Sequence, residues 1–365
     1  MKDLGEMKVA IVHDWLYGGG AEKVVEQLHI LFPDAPIYTS FCTDEWRQKL
    51  DNKVVTGYLQ HWPFSALRRF LPVLRQRWFR KLDFSGFDLV ISSSGNGEAK
   101  FVRVTKPAIH ICYCHAPTHF YWRKYNEYVE HPSMKPKWLA RLGLKLLVKP
   151  LRKRDYAAAQ NVDYFIANSS HIQGDIKTFY GRDSVVIHPP VDIERFAAKD
   201  STSRQGFITI GRLVPYKRVD IIIEACNELH LPLKVVGSGP DEARLKQLAG
   251  PTIEFLGFVP NQDIPNLLES AEAFIFAAEE DFGVAPVEAM AAGTPVIAYK
   301  AGGALDYVIP GQTGEFFSSQ NSETLADALK KFDDKSYSAE ALKQQAQNFR
   351  PEVFQSKLRE FIKSK

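Results

Sequence analysis

Short, unbroken apolar runs separated by stretches of helical spacing fill most of this chain, and no other feature limits its fold as strongly. In the first half, KVAIVHD, APIYTSF, VVTGYL, DLVISSS, AIHICYC, DYFIANS and SVVIHPP read as strands, and residues 21–31 read as a helix. A strand that faces water on one side alternates apolar and polar residues, so a run that is apolar throughout must be covered on both faces. Helices between such strands let neighbours run parallel and supply that cover. The second half repeats the rhythm with GFITIGR, LKVVGSG, TIEFLGF, AFIFAAEE and PVIAYKAG, with DIIIEACNEL and DIPNLLESA as intervening helices. Between the halves, HPPVDIERFAAKDSTSRQG is polar and proline-bearing and predicts a linker at residues 190–204. The chain's 365 residues exceed one ordinary core. The expected architecture is therefore α/β, with two doubly wound Rossmann-like domains facing each other across a cleft. Their predicted extents are 1–195 and 204–348, and ligands bind such sheets beyond the carboxyl ends of the strands. The tail, PEVFQSKLREFIKSK, has the pattern of an amphipathic helix behind a proline start.

Composition narrows the class. The 45% hydrophobic and 24% charged fractions are those of a water-soluble globular chain. No apolar run approaches the roughly 18 residues that span a bilayer. The opening MKDLGEMKVA mixes acids with bases and lacks the apolar segment of a signal peptide. The four cysteines (Cys42, Cys112, Cys114 and Cys226) form no disulfide framework, which predicts a reduced, cytoplasmic protein. His110, Cys112, Cys114 and His115 crowd into IHICYCHAP, but no second cluster completes a metal site, so the cysteines read as core residues. A net charge of +3 implies no nucleic-acid partner by itself, and no nucleic-acid motif is present.

The stretch HDWLYGGGAEKVVEQL places Gly18, Gly19 and Gly20 between a strand and a helix. Close backbone approach at such a turn suits a phosphate held by amides and a helix N-terminus. A tight turn with no ligand has the same pattern. It does not match the dinucleotide fingerprint, whose third glycine would fall at Lys23. Glu22, just inside the helix, either supports the loop or serves as a first-turn acid favoured by the helix dipole.

The segment EEDFGVAPVEAMAAGTPVIAYKAGGALDYVIPGQTGEFF carries more information. A strand ends in acids, a loop passes through Gly283, and a helix starts near Pro286, where free amides form an anion site. Glu280 and Glu288 stand on either side of that site. Carboxylates accept hydrogen bonds and so hold hydroxyls. Hydroxyls on both sides of a phosphate describe a nucleotide sugar. In the turn after GFITIGR, the Arg212 guanidinium and Lys217 ammonium can neutralise a diphosphate.

This arrangement resembles the E-x7-E motif of the family 4 retaining glycosyltransferases, which have the GT-B fold. GGGAE is similar to the family's first glycine loop, GRLVPYKRVD to its diphosphate-binding segment, and PVEAMAAGTPVIA with GGALDYV to its signature helix, strand and loop. YCHAPTHFYW is similar to the H-x-P segment of bacterial mannosyltransferases of O-antigen and exopolysaccharide synthesis. The resemblance implies that Glu280 holds the transferred sugar and Glu288 the ribose. Backbone amides of Phe282, Gly283, Val284 and Ala285 then meet the phosphates and sugar. The base lies near residues 257–262, at Val259, and Gly19 and Gly20 approach the donor or acceptor. Arg212 and Lys217 stabilise the leaving diphosphate, and His115 meets the sugar or the reaction centre. His13 and His119 are weaker candidates, and at position 119 the histidine departs from the basic residue that relatives often carry nearby. The resemblance also implies that residues 349–365 return to the first domain.

The expected reaction transfers a hexose, mannose from GDP-mannose by preference, with retention and without a metal or other cofactor. Two basic aromatic stretches, 66–82 and 135–154, have the composition of helices that lie on an anionic membrane or, equally, of basic faces packed on a sheet. On the membrane reading the acceptor is a polyprenyl-diphosphate-linked glycan at the inner face. Competing readings are a sugar-nucleotide 2-epimerase on the same fold, a non-catalytic sugar-nucleotide-binding subunit, and, as a poor fourth, a dinucleotide dehydrogenase.

Overall fold

The structure is a computed structural model that describes residues 4–68, 71–95, 98–130, 136–196 and 204–365. The chain divides into two compact units, Met1–Pro189 together with Phe354–Lys365, and Pro190–Val353.

The first unit holds seven strands: β1 (Val9–His13), β2 (Ile37–Thr39), β3 (Val54–Val55), β4 (Leu89–Ser94), β5 (Ile109–Cys114), β6 (Tyr164–Ala167) and β7 (Ser184–Val186). They pair in parallel in the order β3-β2-β1-β4-β5-β6-β7. Every residue of β1 and β4 is buried, as their unbroken apolar or small-residue runs require. Helix Ala21–Leu31 covers one face with Val24, Val25 and Leu28. The final helix, Pro351–Lys363, sends Phe354, Leu358 and Ile362 into the same cluster, and Gln355 Nε2 donates to Gln27 Oε1 at 2.7 Å.

The second unit holds β8 (Phe207–Ile210), β9 (Leu233–Val236), β10 (Ile253–Gly257), β11 (Ala273–Phe276), β12 (Val296–Tyr299) and β13 (Gly314–Phe317). They form a parallel sheet in the order β10-β9-β8-β11-β12-β13. In both sheets the order reverses beside the unit's first strand, at β1/β4 and at β8/β11. Loops leaving the carboxyl ends part in opposite directions there and open a crevice.

Three readings of the sequence change. Residues 190–196 do not form a free linker. Val191, Ile193 and Phe196 are buried in the second unit's core, and Val191 N–H donates to the Phe349 carbonyl at 2.8 Å. The unit boundary therefore falls at residue 189 rather than 195, and the return to the first unit begins at Phe354 rather than at 349. Residues 197–203 of the predicted linker lie outside the described residues. The basic stretch 66–82 is not a surface helix. It contains the end of helix Phe64–Leu67 and helix Pro72–Arg80, and the latter buries Arg75, Gln76, Trp78 and Phe79. Its residues 69–70 lie outside the described residues.

The second basic stretch differs. Helix Lys137–Gln160 buries only its C-terminal half, through Val148, Leu151, Asp155, Ala158 and Ala159. Its N-terminal half exposes Trp138, Leu139, Leu142, Leu146 and Leu147 among Lys137, Arg141, Lys145 and Lys149. Lys135 lies outside the described residues. Among the described residues no helix is long and apolar enough to cross a membrane.

Candidate active site

In the second unit, the turn after β8 and the loop after β11 meet at the point where strand order reverses. Lys217 sits in a short 3₁₀ turn, Pro215–Lys217, and its ammonium pairs with the Glu280 carboxylate. Both side chains are mostly buried, so the pair is less screened by solvent than a surface pair. Arg212 stands exposed at the same turn. The turn has little freedom, because Leu213 N–H donates to the Ser238 carbonyl at 2.9 Å and Asp241 N–H to the Leu213 carbonyl at 3.1 Å. A Cβ at Gly237 or Gly239 would collide with the backbone of Gly211 or Leu213, so GSG after β9 is a packing requirement.

Helix Val284–Ala291 opens at Gly283, whose φ of 86° lies in the region that favours glycine. The helix has no acid in its first turn, so the amides of Val284 and Ala285 are free to face an anion. Pro286 stands third in the helix, where its missing N–H costs no intrahelical bond. The loop before the helix is clamped from behind. Gly303 N–H donates to the Glu280 carbonyl at 2.8 Å, and Tyr307 Oη–H to the Phe282 carbonyl at 3.0 Å. A side chain at Gly303 would run into the Phe282 backbone. Phe282 turns its ring into the core against Tyr307 and Phe349, so only its backbone can reach a ligand.

Glu288 lies inside that helix and pairs with Arg195. Arg195 also donates through Nη1 to the Asn261 carbonyl at 3.3 Å, which ties the Glu288 carboxylate to the loop that carries Val259. Sequence reading passed over Arg195 because it fell in a supposed linker. Its one signal was its place among Val191, Ile193 and Phe196, whose spacing is that of residues packing on a core.

In the first unit, His13 ends β1 and His115 follows β5, and both are buried. Ser93 of β4 stands between them, with Oγ 3.1 Å from His13 Nδ1 and 2.8 Å from His115 Nε2. His119 is half-buried in the loop beyond. The glycine loop has an internal reason for its composition. Gly18 adopts φ 111°, and the buried Glu22 carboxylate accepts from Gly18 N–H at 3.2 Å. A Cβ at Gly19 would press on that carboxylate at 2.9 Å. Glu22 thus supports the loop, and Gly19 and Gly20 remain exposed.

The histidine–cysteine cluster is buried. Burial pulls the His110 imidazole down to about 4, and its Nε2 pairs with Ser92 Oγ at 2.8 Å. Burial likewise pushes the Cys112 thiol up to about 12.

Two doubly wound parallel units, with polar groups gathered beyond the strand ends where strand order reverses, are the architecture of the GT-B fold. The model of "Glycosyltransferase Family 4" matches residues 18–195, and that of "Glycosyl transferases group 1" matches residues 190–349. The chain is a family 4 glycosyltransferase of GT-B fold. It is 36% identical over 137 residues to a GDP-mannose-dependent alpha-mannosyltransferase of Mycobacterium tuberculosis, covering 34% of this chain and 35% of that one. It is 31% identical over 199 residues to a GDP-mannose-dependent phosphatidylinositol monomannoside mannosyltransferase of Corynebacterium glutamicum, covering 46% and 52%. The matches thus span a third to a half of these curated relatives. Among solved structures, Anabaena Alr3699/HepE in complex with UDP superposes with a TM-score of 0.72 at 20% identity, covering 98% of this chain and 100% of that one. Sucrose-phosphate synthase from Thermosynechococcus elongatus superposes equally well at 16% identity, covering 98% and 99%.

Proposed function

We propose that the chain moves mannose from GDP-mannose to a polyprenyl-diphosphate-linked glycan, with retention of anomeric configuration, in the synthesis of a cell-surface polysaccharide. The observation that carries this reading is the Lys217–Glu280 pair beside the Gly283-capped helix, with Glu288 farther along the same helix. One cation, one carboxylate and a row of amides support a site for a diphosphate joined to a sugar. Lys217 and Arg212 neutralise the charge that develops as the bond from C1 to the phosphate oxygen breaks. Glu280 holds hydroxyls of the mannose, and Glu288 holds the ribose. The acceptor hydroxyl adds to C1 on the face that the phosphate leaves, and its proton passes to the departing phosphate oxygen. No step needs a metal. The second unit takes the donor, and the first, with His115, takes the acceptor. Relatives that are GDP-mannose-dependent favour this donor over a UDP sugar.

Thermal unfolding with a panel of nucleotides tests the donor. A ligand at about 100 times its Kd stabilises by about 2.7 kcal/mol, which raises the melting temperature of a unit this size by about 5–10 °C. GDP and GDP-mannose are expected to give that shift and UDP compounds a much smaller one. Selective stabilisation by UDP sugars would keep the transferase and discard mannose.

The exposed apolar and basic half of helix Lys137–Gln160 supports a peripheral place at the inner membrane face, where each basic residue near anionic lipid contributes about 1 kcal/mol. The chain is expected to sediment with anionic vesicles at low salt and not with neutral ones, and the Leu146→Asp/Leu147→Asp variant to stay in the supernatant. Sedimentation indifferent to salt and to both substitutions would remove the membrane from the proposal.

A further inference from the structure

We infer that Ser93 is a positioning residue that fixes the tautomer of His115, and that His13 in turn fixes the Ser93 hydroxyl. The inference deepens the reading above, which gives His115 a place at the reacting sugar. It assigns that histidine a single chemical role.

The argument begins with an atom that can only accept. His13 Nδ1 lies 2.9 Å from the Ser93 carbonyl oxygen. A carbonyl has no proton to give, so Nδ1 of His13 carries one. The same N–H lies 3.1 Å from Ser93 Oγ, and the Ser93 hydroxyl therefore cannot donate to His13. Ser93 has no solvent exposure, and a buried hydroxyl proton left without an acceptor is costly. The acceptor within reach is His115 Nε2, at 2.8 Å. Every proton in the row then has a destination: His13 Nδ1–H to Ser93, and Ser93 Oγ–H to His115 Nε2.

The sheet builds this row directly. His13 and Ser93 are partners in the β1/β4 ladder. His115 N–H donates to the Ser94 carbonyl at 2.9 Å, which holds the start of the HAP loop against the end of β4. The Cβ position of Gly95 lies 3.6 Å from His115 Cβ, so the imidazole has a fixed seat.

With Nε2 occupied as an acceptor, neutral His115 carries its own proton on Nδ1. It therefore meets an oxygen with a lone pair, on a sugar hydroxyl or a phosphate, as a hydrogen-bond donor. It does not take the acceptor's proton through Nε2, which leaves that proton to the departing phosphate.

The test uses the full chain labelled with ¹⁵N-histidine, with long-range ¹H–¹⁵N correlation to read each ring, and GDP release from GDP-mannose to read turnover. In the wild type both His13 and His115 are expected as Nδ1–H tautomers. Finding His115 as the Nε2–H tautomer overturns the assignment without any variant. Ser93→Ala is expected to release His115 from the Nδ1–H form and to lower kcat about 10–100-fold, by analogy with the loss of a partner that orients a metal-ligating histidine. KM for GDP-mannose should stay unchanged, and Ser93→Thr, which keeps the hydroxyl, should restore both readouts. Ser93→Ala should cost nothing further in a His115→Ala background. Equal losses in both backgrounds, or an unchanged tautomer in Ser93→Ala, refute the positioning role. An unimpaired His115→Ala enzyme would instead remove His115 from the reaction, while the spectra still decide whether Ser93 sets its ring.

Discussion

Glu280→Gln is expected to lower the rate of sugar transfer by about 10²–10³, the cost of removing one preorganised polar group from a reaction centre, while leaving the affinity for nucleoside diphosphate intact or improved. The reason lies in the resting pair. Lys217 and Glu280 engage each other, so a diphosphate that recruits the ammonium must compete with the carboxylate. Glutamine keeps the size and the hydroxyl-binding oxygen but gives up the charge, so it competes less with the phosphates for Lys217. Lys217→Ala should act differently. It removes the charge that stabilises the leaving group, so turnover and diphosphate affinity fall together. Calorimetry with GDP, alongside GDP release from GDP-mannose, separates the two. A Glu280→Gln enzyme within about threefold of wild-type kcat would leave the carboxylate with no part in transfer, since any transition-state contact worth naming exceeds about 0.7 kcal/mol.

The central strands β1 and β4 were legible because they are buried on both faces, which calls for an apolar or small run. The short edge strand β13 was not. Gly314 and Glu315 occupy half of it, and an edge strand pairs on one side only, with no need for a continuous apolar run. Residues 190–196 misled for the opposite reason. Their prolines and acids look like a linker, yet Val191, Ile193 and Phe196 find a core supplied by distant segments. Glu280 and Glu288 could be read from local spacing around a strand end and a helix start. Lys217 could be read as well, but its pairing with Glu280 could not, because the turn after β8 meets the loop after β11 only through the sheet order. Arg195 could not, because it lies in the segment before β8 that looks like a linker. Ser93 was invisible for a related reason. A serine inside a small-residue strand shows no function until the parallel register sets it beside His13 and the following loop brings His115 to its other side.

The largest effect on stability is expected at Asp155. Its carboxylate has no solvent exposure and gathers four donors: Lys100 Nζ at 2.6 Å, Tyr180 Oη at 2.7 Å, Trp122 Nε1 at 2.8 Å and Thr118 Oγ1 at 3.3 Å. Burial alone would pull the Lys100 amine down, but the charge of Asp155 and its hydrogen bond outweigh burial and hold it above the ordinary lysine value. Asp155→Ala leaves an ammonium and three neutral donors in the core. Breaking one side of a buried pair costs about 3–5 kcal/mol, which in a unit of this size lowers its melting temperature by roughly 10 °C or more. Asp155→Asn, which keeps an acceptor but strands the ammonium, should lie close to it. Lys100→Met should be milder, because the carboxylate keeps Tyr180, Trp122 and Thr118 as donors. The dependence on pH has a definite sign. A raised lysine value stabilises the fold fully below the unfolded value of about 10.4 and loses that contribution only as pH rises through the folded one. In Asp155→Ala burial acts on the Lys100 amine unopposed and pulls it below the unfolded value. The variant then regains stability as pH rises while the wild type keeps Lys100's contribution, so the gap between them should narrow from pH 6 toward pH 9. A gap that stayed constant through that range would show that Lys100 is not the partner that matters, and would move the weight of this cluster onto Tyr180 and Trp122.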